Sequence, residues 1–228
     1  ITNNNDIGKI YKNINDKKIK YVKVLTGYID EITSKYFKPI KNKKKDILYR
    51  GRKLHPLYGL LGYYKFEIGY QFKKKLKENN INLDYDISSN TEDRIYEGWM
   101  SAMSNSKTTL ATPSGSNVLN YDLKLHNQIN KYIGVTDYSH LLKKKNGKSY
   151  SDEEYIGIIN KVRKRVNIPE FLNVNALSPK MFEAIISGTV LIMTEGDSSF
   201  YSGVLKPNKH YIPLNKNYSN ITDICNKC

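Results

Sequence analysis

Three short stretches of this chain carry side chains that could do chemistry at a useful spacing. The first runs Ser178-Pro179-Lys180-Met181-Phe182-Glu183-Ala184-Ile185-Ile186-Ser187-Gly188. Ser-Pro opens helices and Gly closes them, so this segment predicts a helix from Ser178 to Ser187. Ser178 and the first-turn amides, Lys180 among them, form an anion site by helix geometry. Met181, Phe182, Ala184, Ile185 and Ile186 make the helix apolar nearly all round, which predicts burial. Glu183 interrupts that run. An ionised buried carboxylate needs hydrogen-bond donors or a cation, and sugar hydroxyls are one natural set of donors. A pair with Lys180 at i,i+3, or a face that reaches water, would satisfy it as well.

The second stretch is Arg50-Gly51-Arg52-Lys53. Gly51 would let the backbone approach a ligand closely, and Arg50, Arg52 and Lys53 could neutralise a diphosphate; basic side chains are common, and each also reads as a solvated loop cation. The third is Asp84-Tyr85-Asp86. Strand alternation puts both carboxylates on one side, as chelation of a divalent cation requires, but a three-residue pattern with one free position recurs by coincidence. His55, His126, His140 and His210 lack metal-site spacing, and Cys225-Asn226-Lys227-Cys228 is half of a zinc motif without its partner half. There is no dinucleotide-type glycine loop, phosphate-binding P-loop or nucleophile elbow. No metal and no cofactor is therefore expected.

These residues need elements to position them. Asp46–Tyr49 reads as a short buried strand, and Leu61, Tyr64, Ile68, Phe72 and Leu76 have the helical spacing of a 60–78 helix. Ile81–Ile87 predicts a strand, Ile95–Met103 a helix entered through Asn90–Asp93, and Thr108–Thr112 a strand broken by Pro113 before Ser114-Gly115-Ser116. A polar stretch from 116 to 175 contains one helix near 152–165. Thr189–Met193 and Tyr211–Leu214 predict strands, and a helix starts at Asn220. Ahead of these, 20–25 alternates like a strand and the lysine run 38–45 has the composition of a linker. Strands alternating with helices predict an α/β fold, a Rossmann-like doubly wound parallel sheet. Ligands in such sheets sit at the carboxyl ends of the strands, here 50–53, 113–116 and 175–180.

Composition narrows the class. In 228 residues there are 37 Lys and Arg against 22 Asp and Glu, a net charge of +15. Residues 1–80 hold 20 cations against 7 acids, so the excess lies in that part and suggests a polyanion, an acidic surface or a phosphate ligand. Over-use of Lys, Asn, Ile and Tyr together is what A/T-rich codons favour, so much of the lysine also reads as solvated surface. No apolar run approaches a membrane span, no signal peptide opens the chain, and two cysteines at its end exclude a disulfide scaffold. The expectation is a cytoplasmic protein, possible contact with the inner membrane face included. Ile1 in place of Met leads to the expectation of a piece of a longer chain.

The segments Ser178–Ala184, Gly188-Thr189, Tyr201-Ser202-Gly203-Val204-Leu205-Lys206-Pro207 and Lys209-His210-Tyr211-Ile212-Pro213-Leu214 resemble the donor domain of bacterial GT-B glycosyltransferases. The nearest group is the spore-maturation type. Tyr49-Arg50-Gly51-Arg52 resembles that domain's first strand and loop, and Ser114-Gly115-Ser116 its mid-domain strand end. The resemblance implies a metal-independent glycosyltransferase that moves a sugar from a nucleotide-sugar donor to a glycan, protein or lipid-linked acceptor, as in cell-surface polysaccharide synthesis. It implies a donor diphosphate on Arg50, Gly51, Arg52, Ser178 and Lys180, with the nucleotide ribose on Glu183. Ser114, Gly115, Ser116 and Asn175 fall in the donor-site loops, Asn175 standing eight residues before Glu183, where the retaining branch has its first glutamate. Residues 1–45 would then be acceptor-domain remnant and linker, and 46–228 the donor domain with an insertion at about 117–170. No catalytic residue is assigned, and nucleic acid is not an expected partner. The other readings are a non-catalytic interaction module on the same fold, or an RNA-binding protein using the basic N-terminal third.

Overall fold

A computed structural model describes residues 10–11, 35–95, 97–119, 123–134, 141–170, 177–194 and 205–227. The strand expected at 20–25 lies outside them. Five strands, β1 (Lys45–Arg50), β2 (Tyr85–Ser88), β3 (Ser106–Ala111), β4 (Val190–Thr194) and β5 (Tyr211–Leu214), form one sheet. Every pairing is parallel and the order is β2-β1-β3-β4-β5. The helices are α1 (Gly59–Glu78), α2 (Trp99–Ser104), α3 (Lys124–Ile133), α4 (Asp152–Arg165), α5 (Pro179–Ile186) and α6 (Ile221–Cys225). This is the expected Rossmann-like, doubly wound α/β fold.

Both faces of the sheet are covered because its strands alternate between two apolar clusters. Ile47 and Tyr49 of β1, Leu110 of β3, Ile192 of β4 and Leu214 of β5 pack against α1 and α6. Ala111, Leu191, Met193 and Tyr211 point the other way, onto α2 and α5. Ile68, Phe72 and Leu76 recur at four-residue spacing along α1 and are buried, each worth about 1.5–3 kcal/mol of burial. Tyr64, predicted on the same stripe, is instead 37% exposed.

Several boundaries differ from the sequence reading for local reasons. The 81–87 strand shortens to Tyr85–Ser88, since Ile81 N bonds Leu76 O at 3.0 Å and the β1 ladder starts at Tyr85. The helix expected over 95–103 begins only at Trp99, after Gly98 in a left-handed conformation. Asn90–Asp93 form a turn instead of its cap: the Ser88 hydroxyl donates to Asp93 at 2.5 Å, and Arg94 N bonds Thr91 O. Helix α5 is not buried all round; Met181 and Ala184 are covered, while Ile185 is 45% exposed.

The polar 116–175 stretch holds a second helix, α3, beside the expected α4. Its Ile129 with Val162 and Val166, from α4 and the loop after it, makes one satellite cluster, and Tyr155 and Ile159 of α4 against Phe66 of α1 make another. Ser151 and Glu154 close a capping box at the start of α4.

One lysine of the 38–45 run is packed rather than solvated, while Lys41 and Lys44 are exposed. Lys43 is 6% exposed, and its ammonium donates to Ser104 O (2.8 Å), Ser187 O (2.9 Å) and Thr189 Oγ1 (3.2 Å). Gly188, at φ +69°, lies beside it with Lys38 O only 2.8 Å from where a Cβ would stand.

Candidate functional site

The strand order reverses between β1 and β3, and the carboxyl ends of those two strands open onto a cleft of about 810 Å³. In a 2-1-3-4-5 sheet this is the switch point where ligands bind. Residues from all three segments named from sequence line it: Arg50–Arg52 at the end of β1, Ser114–Ser116 after β3, and Ser178, Lys180 and Glu183 at the start of α5. The last segment, 175–180, follows no strand among the described residues and instead leads into a helix. Asn175 lies outside the described residues.

The cleft is electropositive. Among its described lining residues are five cations, Arg50, Arg52, Lys65, Arg94 and Lys180, against one carboxylate, Glu183. The Lys180 ammonium sits 4.1 Å above the Tyr49 ring. Burial, then the positive charges of Lys65 and Arg52 against the opposing pull of Glu183, lowers its pKa to about 7. Lys65 is lowered too, by burial and then by Arg52. Cations that depress one another in a shared concavity repel, and a bound anion would relieve that repulsion.

Individual residues take roles that differ from their sequence reading. Arg50 lines the cleft, but its guanidinium is turned to the protein. It donates to Asp93 O (2.7 Å), Tyr49 O (3.1 Å), Asp86 O (3.0 Å) and Asp86 Oδ2 (2.8 Å). It joins β1 to β2 and has little left for a phosphate. Gly51 is required by α1, not by a ligand: a Cβ there would collide with the Lys65 carbonyl oxygen and stand 2.7 Å from the Tyr49 ring. That same carbonyl accepts from the Tyr49 hydroxyl at 2.6 Å. Lys53 is 3% exposed and bound to Asp152 and Asn90, both at 2.9 Å. Ser116 is engaged by its own turn, donating to Val118 O and accepting from Val118 N.

The start of α5 offers fewer amides than a helix N-terminus ordinarily does, since Pro179 has none and Met181 N bonds Ser178 O at 2.9 Å. The Ser178 side chain makes no cap bond. Glu183 does not pair with Lys180 by hydrogen bond; its Oε2 accepts from the Trp99 indole at 2.8 Å. Asp84 and Asp86 do not converge on one point. Asp84 pairs with Lys45 at 2.7 Å and Asp86 with Arg50 at 2.8 Å. Among the described residues no group of three or more His, Cys, Asp or Glu could hold a metal ion.

No protein-family model matches the chain, and no curated protein or solved structure is similar enough to count as a match.

Sequence reasoning missed Lys65, Trp99 and Asn117. Lys65 stands among other lysines on α1 and gives no sequence signal. Asn117 Oδ1 accepts from Leu61 N at 2.7 Å and so caps α1 from the loop after β3. Trp99 had a signal, being the single tryptophan of the chain, in the middle of the helix expected over 95–103. No helix among the described residues is long and apolar enough to cross a membrane.

Proposed function

We propose that the cleft binds the diphosphate of a nucleotide sugar, and that the chain supplies the donor site of a GT-B type glycosyltransferase. The observation that carries this reading is the excess of cations at the β1/β3 switch point, where Arg52, Lys65 and Lys180 crowd around the start of α5. The segments that resemble the family support it, because Tyr49–Arg52, Ser114–Ser116 and the head of α5 all line one cavity. The chemistry also fits. Sugar transfer leaves negative charge on the departing diphosphate, and cations held in a partly desolvated cleft favour that charge more than they would in water. Arg52, Lys65 and Lys180 take the diphosphate oxygens in this reading, and Ser178 adds a hydroxyl. Arg50 supports the wall, and Glu183 faces the ribose.

Titration calorimetry with UDP, GDP and ADP, each with EDTA present, tests it. One of the three should bind without metal, and Lys180→Met should weaken it by about tenfold or more, the worth of one charge-assisted hydrogen bond. Failure of all three and of inorganic pyrophosphate to bind would overturn the reading. Steep salt-dependent binding of an RNA oligonucleotide instead would favour the polyanion alternative.

A further inference from the structure

Trp99 is the first residue of α2, set by Gly98 at φ +75°. It packs against the cluster that holds Met181 and Ala184 of α5, and it lines the cleft. An indole N–H can only donate, so its bond to Glu183 Oε2 has one possible sense. A glutamate on a helix face otherwise samples several rotamers, and each loses affinity for a ligand that needs only one. With Oε2 held from α2, Glu183 keeps Oε1 to accept from a ligand in the cleft.

We propose that Trp99 is the positioning residue for Glu183, fixing its carboxylate so that Oε1 accepts from a ribose hydroxyl of the bound nucleotide. This deepens the reading of the cleft as a nucleotide-diphosphate site and rests on it. The indole acts through Glu183 and touches neither the diphosphate nor the sugar being transferred. Its removal therefore erases the preference for ribose and leaves the diphosphate contacts of Arg52, Lys65 and Lys180 in place.

The test compares UDP, GDP and ADP with their 2′,3′-dideoxy counterparts on wild type, Trp99→Phe, Glu183→Gln and the double variant. Wild type should prefer the ribonucleotide by about tenfold or more, the loss of one hydrogen bond to a charged group. Trp99→Phe keeps the packing and loses the N–H, so the preference should fall to that of Glu183→Gln, with no further fall in the double variant. A Trp99→Phe protein that binds both nucleotides more weakly in equal proportion has lost packing alone, which overturns the proposal. So does a wild type that binds the diphosphates without any ribose preference, although the diphosphate site then stands. No diphosphate binding at all brings down the cleft reading itself. A second readout needs no variant: Trp99 is the single indole, so saturating the protein with the diphosphate that binds must shift its emission, and its dideoxy counterpart must shift it less. Equal shifts, or none, overturn the proposal even if Trp99→Phe does not fold.

Discussion

Arg52 and Lys53 are neighbours in sequence and opposites in the structure. Lys53 turns inward, where Asp152 takes its ammonium at 2.9 Å and that of Lys73 at 2.8 Å, with the Ser89 hydroxyl on the same carboxylate. Arg52 turns to the cleft, beside Lys65 and Lys180, where the described lining offers the single carboxylate Glu183. Both clusters gather positive charge at the end of β1. The first has its counter-charge on Asp152, the first residue of α4; for the second, the reading proposed above places a bound diphosphate among Arg52, Lys65 and Lys180. The segment around α4 thus has a definite role in the fold: its Asp152 neutralises Lys53, the buried half of the basic loop.

The contrast breaks most visibly at Asp152. Asp152→Ala leaves Lys53 buried without its partner and should cost about 3–5 kcal/mol of unfolding free energy, read as a lower urea midpoint. Burial pushes the Asp152 pKa up, but Lys73, Lys53 and Ser89 outweigh it and hold it near 2. Its folded pKa lies below the unfolded value, so this stability is present above about pH 4 and lost as pH falls towards 2. Acid unfolding of wild type and Asp152→Asn should therefore converge at the acid end.

Removing one cation from each cluster sharpens the difference. Lys53→Met should lower the urea midpoint and leave pyrophosphate affinity within about twofold, since it lies outside the anion contacts. Lys180→Met should do the reverse, with affinity down about tenfold or more and the midpoint unchanged or raised. Equal loss of stability in the two would erase the distinction drawn here.

A smaller effect appears on titration. Lys180 has a folded pKa near 7, below its unfolded value, so the unfolded chain binds more protons between about pH 7 and 10 and stability rises with pH in that window. A bound anion favours the protonated amine, so pyrophosphate affinity should fall with rising pH, by at most about tenfold per unit. Lys180→Arg should flatten that dependence, and calorimetry across pH 7–9 measures it. Smallest is Ser151→Ala, which removes the cap of α4 and should cost about 1 kcal/mol while leaving affinity alone.

Much of this fold was legible because periodicity is local. The stripe of α1 and the short apolar runs of β4 and β5 declare themselves within a dozen residues. Helix α3 did not, since its buried positions include His126 and Asn130 beside Ile129, which breaks an apolar pattern. The 38–45 run misled for the opposite reason: its lysines look solvated until helix ends supply carbonyls for Lys43. At the site, glycine and arginine were found at the right places with different tasks, Gly51 admitting α1 and Arg50 joining two strands. Trp99 and Lys65 depend on which helix crosses which, and residue type alone does not tell that.

Lys43 has one more consequence. Its ammonium holds the last carbonyls of two helices, Ser104 at the end of α2 and Ser187 after α5, where helix dipoles favour a cation. Those helices carry Trp99, at the far end of α2, and Glu183, one turn before Ser187. The pair therefore works like scissors with a charged rivet. Burial lowers the rivet's pKa to about 8, with Lys38 adding to the effect, so the blades are pinned most tightly in neutral or acidic solution. Any chemistry that caps this amine, acylation for instance, would release both helix ends and, through them, loosen the Trp99–Glu183 bond in the cleft wall.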